Sequence, residues 1–136
     1  MRSYNHCLFE AERRAFQQLD ELLGEYPEVA LFPNFDLRDE SLKTYLECDL
    51  IVIAKSFCAI VELKNWRGLI NVGSTYWERN GNVVTNPHRS NIRKCKVLKT
   101  TLQQFLPHVA EFPYVQSIVV LTHPDSEVFG DSSVYT

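Results

Sequence analysis

Asp49-Leu-Ile-Val-Ile-Ala54 and, three residues on, Cys58-Ala-Ile-Val-Glu-Leu-Lys64 are the two runs that decide the fold. Both have the length and the β-branched, apolar character of buried strands. A turn centred on Lys55-Ser56 joins them as an antiparallel hairpin, pairing Ala54 with Phe57, Ile53 with Cys58 and Asp49 with Glu62. Side chains alternate along a strand, so Glu62 and Lys64 share a face. Two carboxylates placed opposite each other repel. A divalent cation between them turns that repulsion into coordination, and oxygen ligands are what Mg2+ and Mn2+ prefer. Asp49 and Glu62 are therefore candidate metal ligands. Lys64 is placed to hold a scissile phosphate or to orient a metal-bound water, which is the equipment of metal-assisted phosphodiester hydrolysis. A lone Glu-x-Lys is commonplace on wet strand faces. Here it closes an apolar run, and charges are rarely left in such runs unless paired or bound to metal.

The chain has 136 residues, the size of one domain. Its net charge of −3 argues against a purely electrostatic nucleic-acid binder, though not against an enzyme with a local basic groove. Cys7, Cys48, Cys58 and Cys95 are scattered without a C-x-x-C pair, so reduced thiols fit better than disulfides or zinc. The N-terminus lacks the apolar core of a signal peptide, and no apolar run approaches membrane-spanning length. The expected location is cytoplasmic.

Residues from about 6 to 23 read as a helix, with Leu8, Glu12, Phe16, Leu19 and Leu23 on one stripe and Gly24 as its stop. Glu12 thus borders the buried face and is a further candidate acid. Val29 to Leu37 reads as a strand, with Pro33 marking an edge position or a bulge. Arg38 to Thr44 reads as a polar loop before the hairpin. Leu69 to Val72 is expected to re-enter the sheet. Tyr76-Trp77, Asn80-Gly81 and Val83-Val84 spell a second hairpin. Asn86-Pro87 opens a helix that runs to about Leu106, where Pro107 stops it. Its expected core stripe is Ile92, Cys95, Leu98, Leu102 and Phe105. Arg89, Arg93 and Lys96 line another face, with Lys94 and Lys99 nearby, as a phosphate-tracking surface. Val115 to Leu121 reads as a buried strand, and the polar end from His123 has no closing helix. The order predicts a mixed α/β or α+β domain, a central sheet with flanking helices. The chain reads as a single domain over 1–136 and as a candidate module of a longer protein.

Glu12, Glu47-Cys-Asp-Leu-Ile-Val-Ile53, Ile60-Val-Glu-Leu-Lys-Asn-Trp-Arg-Gly68, Trp77, Gly81 and Asn86-Pro87 together resemble the nuclease-related domain, NERD, of the PD-(D/E)XK nuclease superfamily. The resemblance covers residues from about 8 to 121. It implies a restriction-endonuclease-like fold, a central mixed sheet with a helix on each side. It implies a divalent-metal nuclease site with Asp49 and Glu62 as ligands, Lys64 as the catalytic lysine and Glu12 as the first-helix acid. By analogy the Leu63 backbone carbonyl is the favoured extra ligand, ahead of Ile60. Family members often carry Gln shortly after the Asn-Pro, where this chain has His88-Arg89-Ser90. Bacterial origin and fusion to other modules are typical of the family.

The expected activity is Mg2+- or Mn2+-dependent hydrolysis of DNA, with RNA not excluded. Arg67, Arg89, Arg93 and Lys96 are the expected backbone grip. The competing readings are a non-catalytic nucleic-acid or protein-binding module that keeps the fold, and an oligomerisation domain with Trp66, Tyr76 and Trp77 as surface anchors.

Overall fold

The computed structural model describes residues 29–54, 57–107 and 114–130. The helix expected over about 6–23, and Glu12 with it, lies outside them. The described chain runs β1 (Ala30–Asp39), β2 (Thr44–Ala54), β3 (Phe57–Lys64), β4 (Gly68–Val72), β5 (Tyr76–Arg79), β6 (Asn82–Thr85), α1 (His88–Phe105), β7 (Val115–Leu121) and β8 (Ser126–Gly130). It is a mixed α+β fold, rich in strands. The expectation of a single central sheet is corrected, because there are two four-stranded sheets, ordered β1-β2-β3-β7 and β6-β5-β4-β8. Leu69 to Val72 therefore belongs to a second sheet and does not re-enter the first.

The β2–β3 hairpin has the register its sequence predicts, with Ala54 opposite Phe57 and Ile53 opposite Cys58, continuing to Leu50 opposite Val61. β7 then adds in parallel to β3, pairing Glu62 with Val119 and Lys64 with Leu121. The 11-residue β2 is longer than the apolar run alone, because β1 extends to Asp39 and leaves only a tight turn before Thr44. β1 is the outer strand, where Pro33 costs no interior ladder bond.

One irregularity in this sheet matters for the site. Pairing of β1 with β2 runs on either side of Asn34 and Asp49 but skips that pair, and Asn34 has a positive φ of 50°. Leu46 and Cys48 pack in the same cluster as Ile51 and Ile53, while Leu50 and Val52 pack on the opposite face. Strict alternation cannot put 46, 48, 51 and 53 on one side, so the facing slips by one residue between Cys48 and Ile51. Asp49 sits at the slip.

The helix α1 covers the first sheet through Cys95 and Leu98, which join Cys58, Ile60, Ile51 and Val115 in one core. The expected stripe is corrected at both ends. Ile92 and Phe105 are 47% and 77% exposed, and the buried row is Asn91, Cys95 and Leu98. Asn91 donates to the Ile60 carbonyl at 2.8 Å and to Ser117 Oγ at 2.8 Å, and this pins α1 to β3 and β7.

The second sheet packs on the same layer through Trp77, Ile70, Val72 and Val119. Its hairpin turns at Asn80-Gly81, both with positive φ, as the Asn-Gly signal predicts. Asn80 also closes the sheet's start: its Oδ1 accepts the Leu69 N–H at 2.9 Å and its amide donates to the Arg67 carbonyl at 3.3 Å. Trp77 is fully buried, which corrects its reading as a surface anchor. The strand β8 was not expected from the polar C-terminal stretch; it pairs in parallel with β4. No helix among the described residues is long and apolar enough to cross a membrane.

Candidate functional site

The charged residues of the hairpin meet where β2 and β3 part. The ladder ends at Leu50 and Val61, one pair before Asp49 and Glu62. Asp49 instead turns its Oδ2 to the Leu63 N–H, 2.9 Å away. Burial pushes the Asp49 carboxyl up from its ordinary pKa, and the Glu62 charge pushes it further. The Leu63 N–H and the ammoniums of Lys94 and Lys64 act in the opposite direction without cancelling it. Asp49 and Glu62 are thus electrostatic neighbours in a partly dry environment, although the direct cross-strand pairing expected of them is not part of the β2–β3 register.

Glu62 is held between two cations. Lys64 Nζ lies 3.4 Å from Oε1 and Lys94 Nζ lies 3.4 Å from Oε2. Lys64 also lies 5.6 Å from the centre of the Trp66 ring, which limits where its ammonium goes. The Lys94 side chain is only 13% exposed, as little as that of Glu62. Sequence reading placed Lys94 merely near the basic face and missed its position in the site. The signal was helical phase: Asn91, Lys94, Cys95 and Leu98 fall at the i, i+3, i+4, i+7 spacing of one face.

The donor set suits a hard divalent cation. It consists of two carboxylates on adjoining strands, and Mg2+ commonly binds through one or two carboxylates while keeping several waters. Among the described residues no cluster of three or more His, Cys, Asp or Glu side chains is close enough to form a cage. The Ile60 carbonyl, one of the two backbone candidates, is already engaged by the Asn91 amide. Among the described residues, Cys48 feels the charges of Lys94, Glu62 and Asp49, while His88 is engaged elsewhere. His88 Nδ1 contacts Ser117 Oγ at 2.7 Å, its ring sits edge-on to Trp77, and burial lowers its pKa. Cys48, Cys58 and Cys95 are free and buried, and burial raises the Cys48 and Cys95 thiols to about 11. They behave as small hydrophobes.

The expected backbone-gripping cations are divided in their engagements. Arg93 is bound to Asp39, whose carboxylate is almost wholly buried at the end of β1. Ser41 donates to the same carboxylate from its hydroxyl at 2.7 Å and its N–H at 3.1 Å. Those bonds, Ser41's before Arg93's, hold Asp39 well below the usual carboxylate range, at about 2. Arg67 follows β3 and makes a long, exposed contact of 3.7 Å with Asp125. Arg89 and Lys96 are exposed on α1 and make no ion pair among the described residues.

The family model of the nuclease-related domain, NERD, matches residues 8–122. No curated protein and no solved structure matches the chain. The match spans most of the chain, and the chain belongs to the nuclease-related domain family, placed among the PD-(D/E)XK nucleases.

Proposed function

We propose, from membership of the nuclease-related domain family, that this chain hydrolyses phosphodiester bonds in DNA at the site formed by Asp49, Glu62 and Lys64. The single observation that carries the reading is the meeting of these three side chains at the open end of the β2–β3 hairpin, with Asp49 strained in its ionised state. The sheet β1-β2-β3-β7 with α1 across it supports a restriction-endonuclease-like core. Asp49, Glu62 and the Leu63 carbonyl would hold Mg2+ or Mn2+, and Glu12 would join them from the N-terminal region. The bound ion supplies Lewis acidity and a lowered pKa for a coordinated water.

The chain's own groups do the rest. Lys64, steadied by Trp66, holds its ammonium beside Glu62 and offers it to a phosphate oxygen of the scissile bond. Water adds to phosphorus and loses a proton to solvent, the P–O bond to the leaving sugar breaks and solvent protonates the released oxygen, so negative charge grows meanwhile on oxygens within reach of that ammonium. Arg89, Lys96 and Arg67 track the neighbouring phosphates. Arg93 shares its guanidinium between Asp39 and that face.

The test is cleavage of plasmid and single-stranded DNA with added Mg2+ or Mn2+. Wild type is expected to cut, and Glu62→Ala and Lys64→Ala to lose at least about a hundredfold in rate while remaining folded. Cleavage that survives both substitutions sinks the assignment. DNA affinity without metal binding in calorimetry makes the chain a binding module instead.

A further inference from the structure

Among the described residues the charges of the cluster at the hairpin end balance without a metal. Asp49 and Glu62 bring two negative charges, and Lys64 and Lys94 bring two positive ones. The two lysines are not equivalent. Lys64 is 31% exposed, arises from the same strand as Glu62 and leans on Trp66. Lys94 arrives from α1, is only 13% exposed, and acts on Asp49 more strongly than Lys64 does. Among the described residues its ammonium is the less exposed of the two cations that act on both carboxylates, and it is fixed there because Asn91, one turn earlier, ties α1 to the Ile60 carbonyl and Ser117.

We infer that Lys94 is a built-in place-holder for the divalent cation: it neutralises the Asp49–Glu62 pair in the metal-free protein and must swing away, or be outcompeted, when metal binds. This rests on the metal site proposed above. The physical reason is simple competition. A carboxylate oxygen contacted by an ammonium is less available to a metal, and a neighbouring positive charge in a partly desolvated site opposes a second one. Without Lys94 the pair would repel across the hairpin end and the metal-free fold would suffer. With it, the metal-free fold is supported and metal affinity is held down. A long aliphatic stem anchored on a helix suits such a part, since Lys can withdraw its head without moving the backbone.

The experiment is calorimetric titration of the full chain with Mn2+, alongside the melting temperature of the metal-free protein. Lys94→Met and Lys94→Gln are compared with wild type and with Lys99→Met, which removes the same charge from the same helix away from Glu62. Lys94→Met is expected to bind Mn2+ about tenfold more tightly or better, about 1.4 kcal/mol, and to melt at a lower temperature without metal. Lys94→Gln keeps a donor for Glu62 and is expected to show the tighter binding with a smaller loss of Tm, which secures the comparison if the Met variant folds poorly. Lys99→Met is expected to match wild type within about twofold. Equal or weaker Mn2+ binding by the folded Lys94 variants, with wild type binding measurably, overturns the place-holder. Absence of Mn2+ binding in wild type and variants alike overturns the metal site itself, and the place-holder with it.

Discussion

Asp49 carries a clear energetic signature. Its carboxylate is raised in pKa by burial first and by Glu62 second. A carboxyl whose folded pKa lies above its unfolded value stabilises the fold below the ordinary carboxylate range and loses that contribution as pH rises through the shifted value. At neutral pH the ionised side chain is therefore a burden on the metal-free fold. Asp49→Asn keeps an oxygen for the Leu63 N–H and removes the charge, so the metal-free variant is expected to melt on the order of a few °C higher at pH 7 while losing cleavage. Differential scanning calorimetry in a chelator checks it, and a lower Tm would contradict the strain. Asp39 has the opposite sign. Its pKa falls from the ordinary 3.8 to about 2 through Ser41 and Arg93, so its contribution is fully present above about pH 4 and drains away between about 4 and 2. Wild type is expected to lose stability over that window, and Asp39→Asn to show a flatter acid limb in urea titrations at stepped pH. The hairpin charges were legible in sequence because strand alternation and turn position fix them locally. Lys94 was not, because its partner lies 32 residues away and helical phase names a face without naming what it meets.

At the scale of elements, the same division holds. The β2–β3 register and the Asn80-Gly81 turn follow from short-range rules, and both stand as the sequence predicts. The slip at Asp49 does not, since it needs β1 and β2 to skip one pair together. The expected α1 stripe includes Ile92, but Asn91 holds the buried position by hydrogen bonds that Ile92 cannot make. The strand β8 is polar and mostly exposed, and it forms because β4 offers an edge. That edge begins at Gly68, which has φ of 99° and no room for a Cβ beside the Asn80 amide. Gly68→Ala is expected to cost about 1–3 kcal/mol, and to lower Tm by roughly 5 °C or more. It combines a backbone conformation that L residues avoid with a clash against the group that caps Leu69. Urea unfolding measures it. A neutral result would mean that the Arg67–Leu69 clamp relaxes freely.

The whole molecule is acidic, with a net charge of −3, yet five of its 14 Lys and Arg residues lie within one stretch of α1, from Arg89 to Lys99. Two of those five are already committed, Arg93 to Asp39 and Lys94 to Glu62. The other three, Arg89, Lys96 and Lys99, make no ion pair among the described residues, and Arg89 and Lys96 are the more exposed, so these two are the cations most open to phosphates. Cations that neutralise phosphates release counterions, and the affinity then falls linearly with salt on logarithmic axes, by a slope of about 0.9 per phosphate contact. Fluorescence anisotropy with a labelled duplex, in chelator to prevent cleavage, from low to physiological salt, measures that slope. Arg89→Gln and Lys96→Gln are each expected to weaken binding across sequences alike and to flatten the slope by about one unit. Arg93→Gln is expected to behave differently. It strips a buried carboxylate of its cation, so it should lower Tm more than it flattens the slope. If Arg93→Gln and Lys96→Gln flatten the slope fully while Arg89→Gln leaves it unchanged, nucleic acid lies on the β1 side of the helix, where Arg38, Arg93 and Lys96 border one cleft. Three unchanged slopes would move the nucleic acid off α1 altogether and leave Arg67, at the exit of β3, as its remaining anchor among these cations.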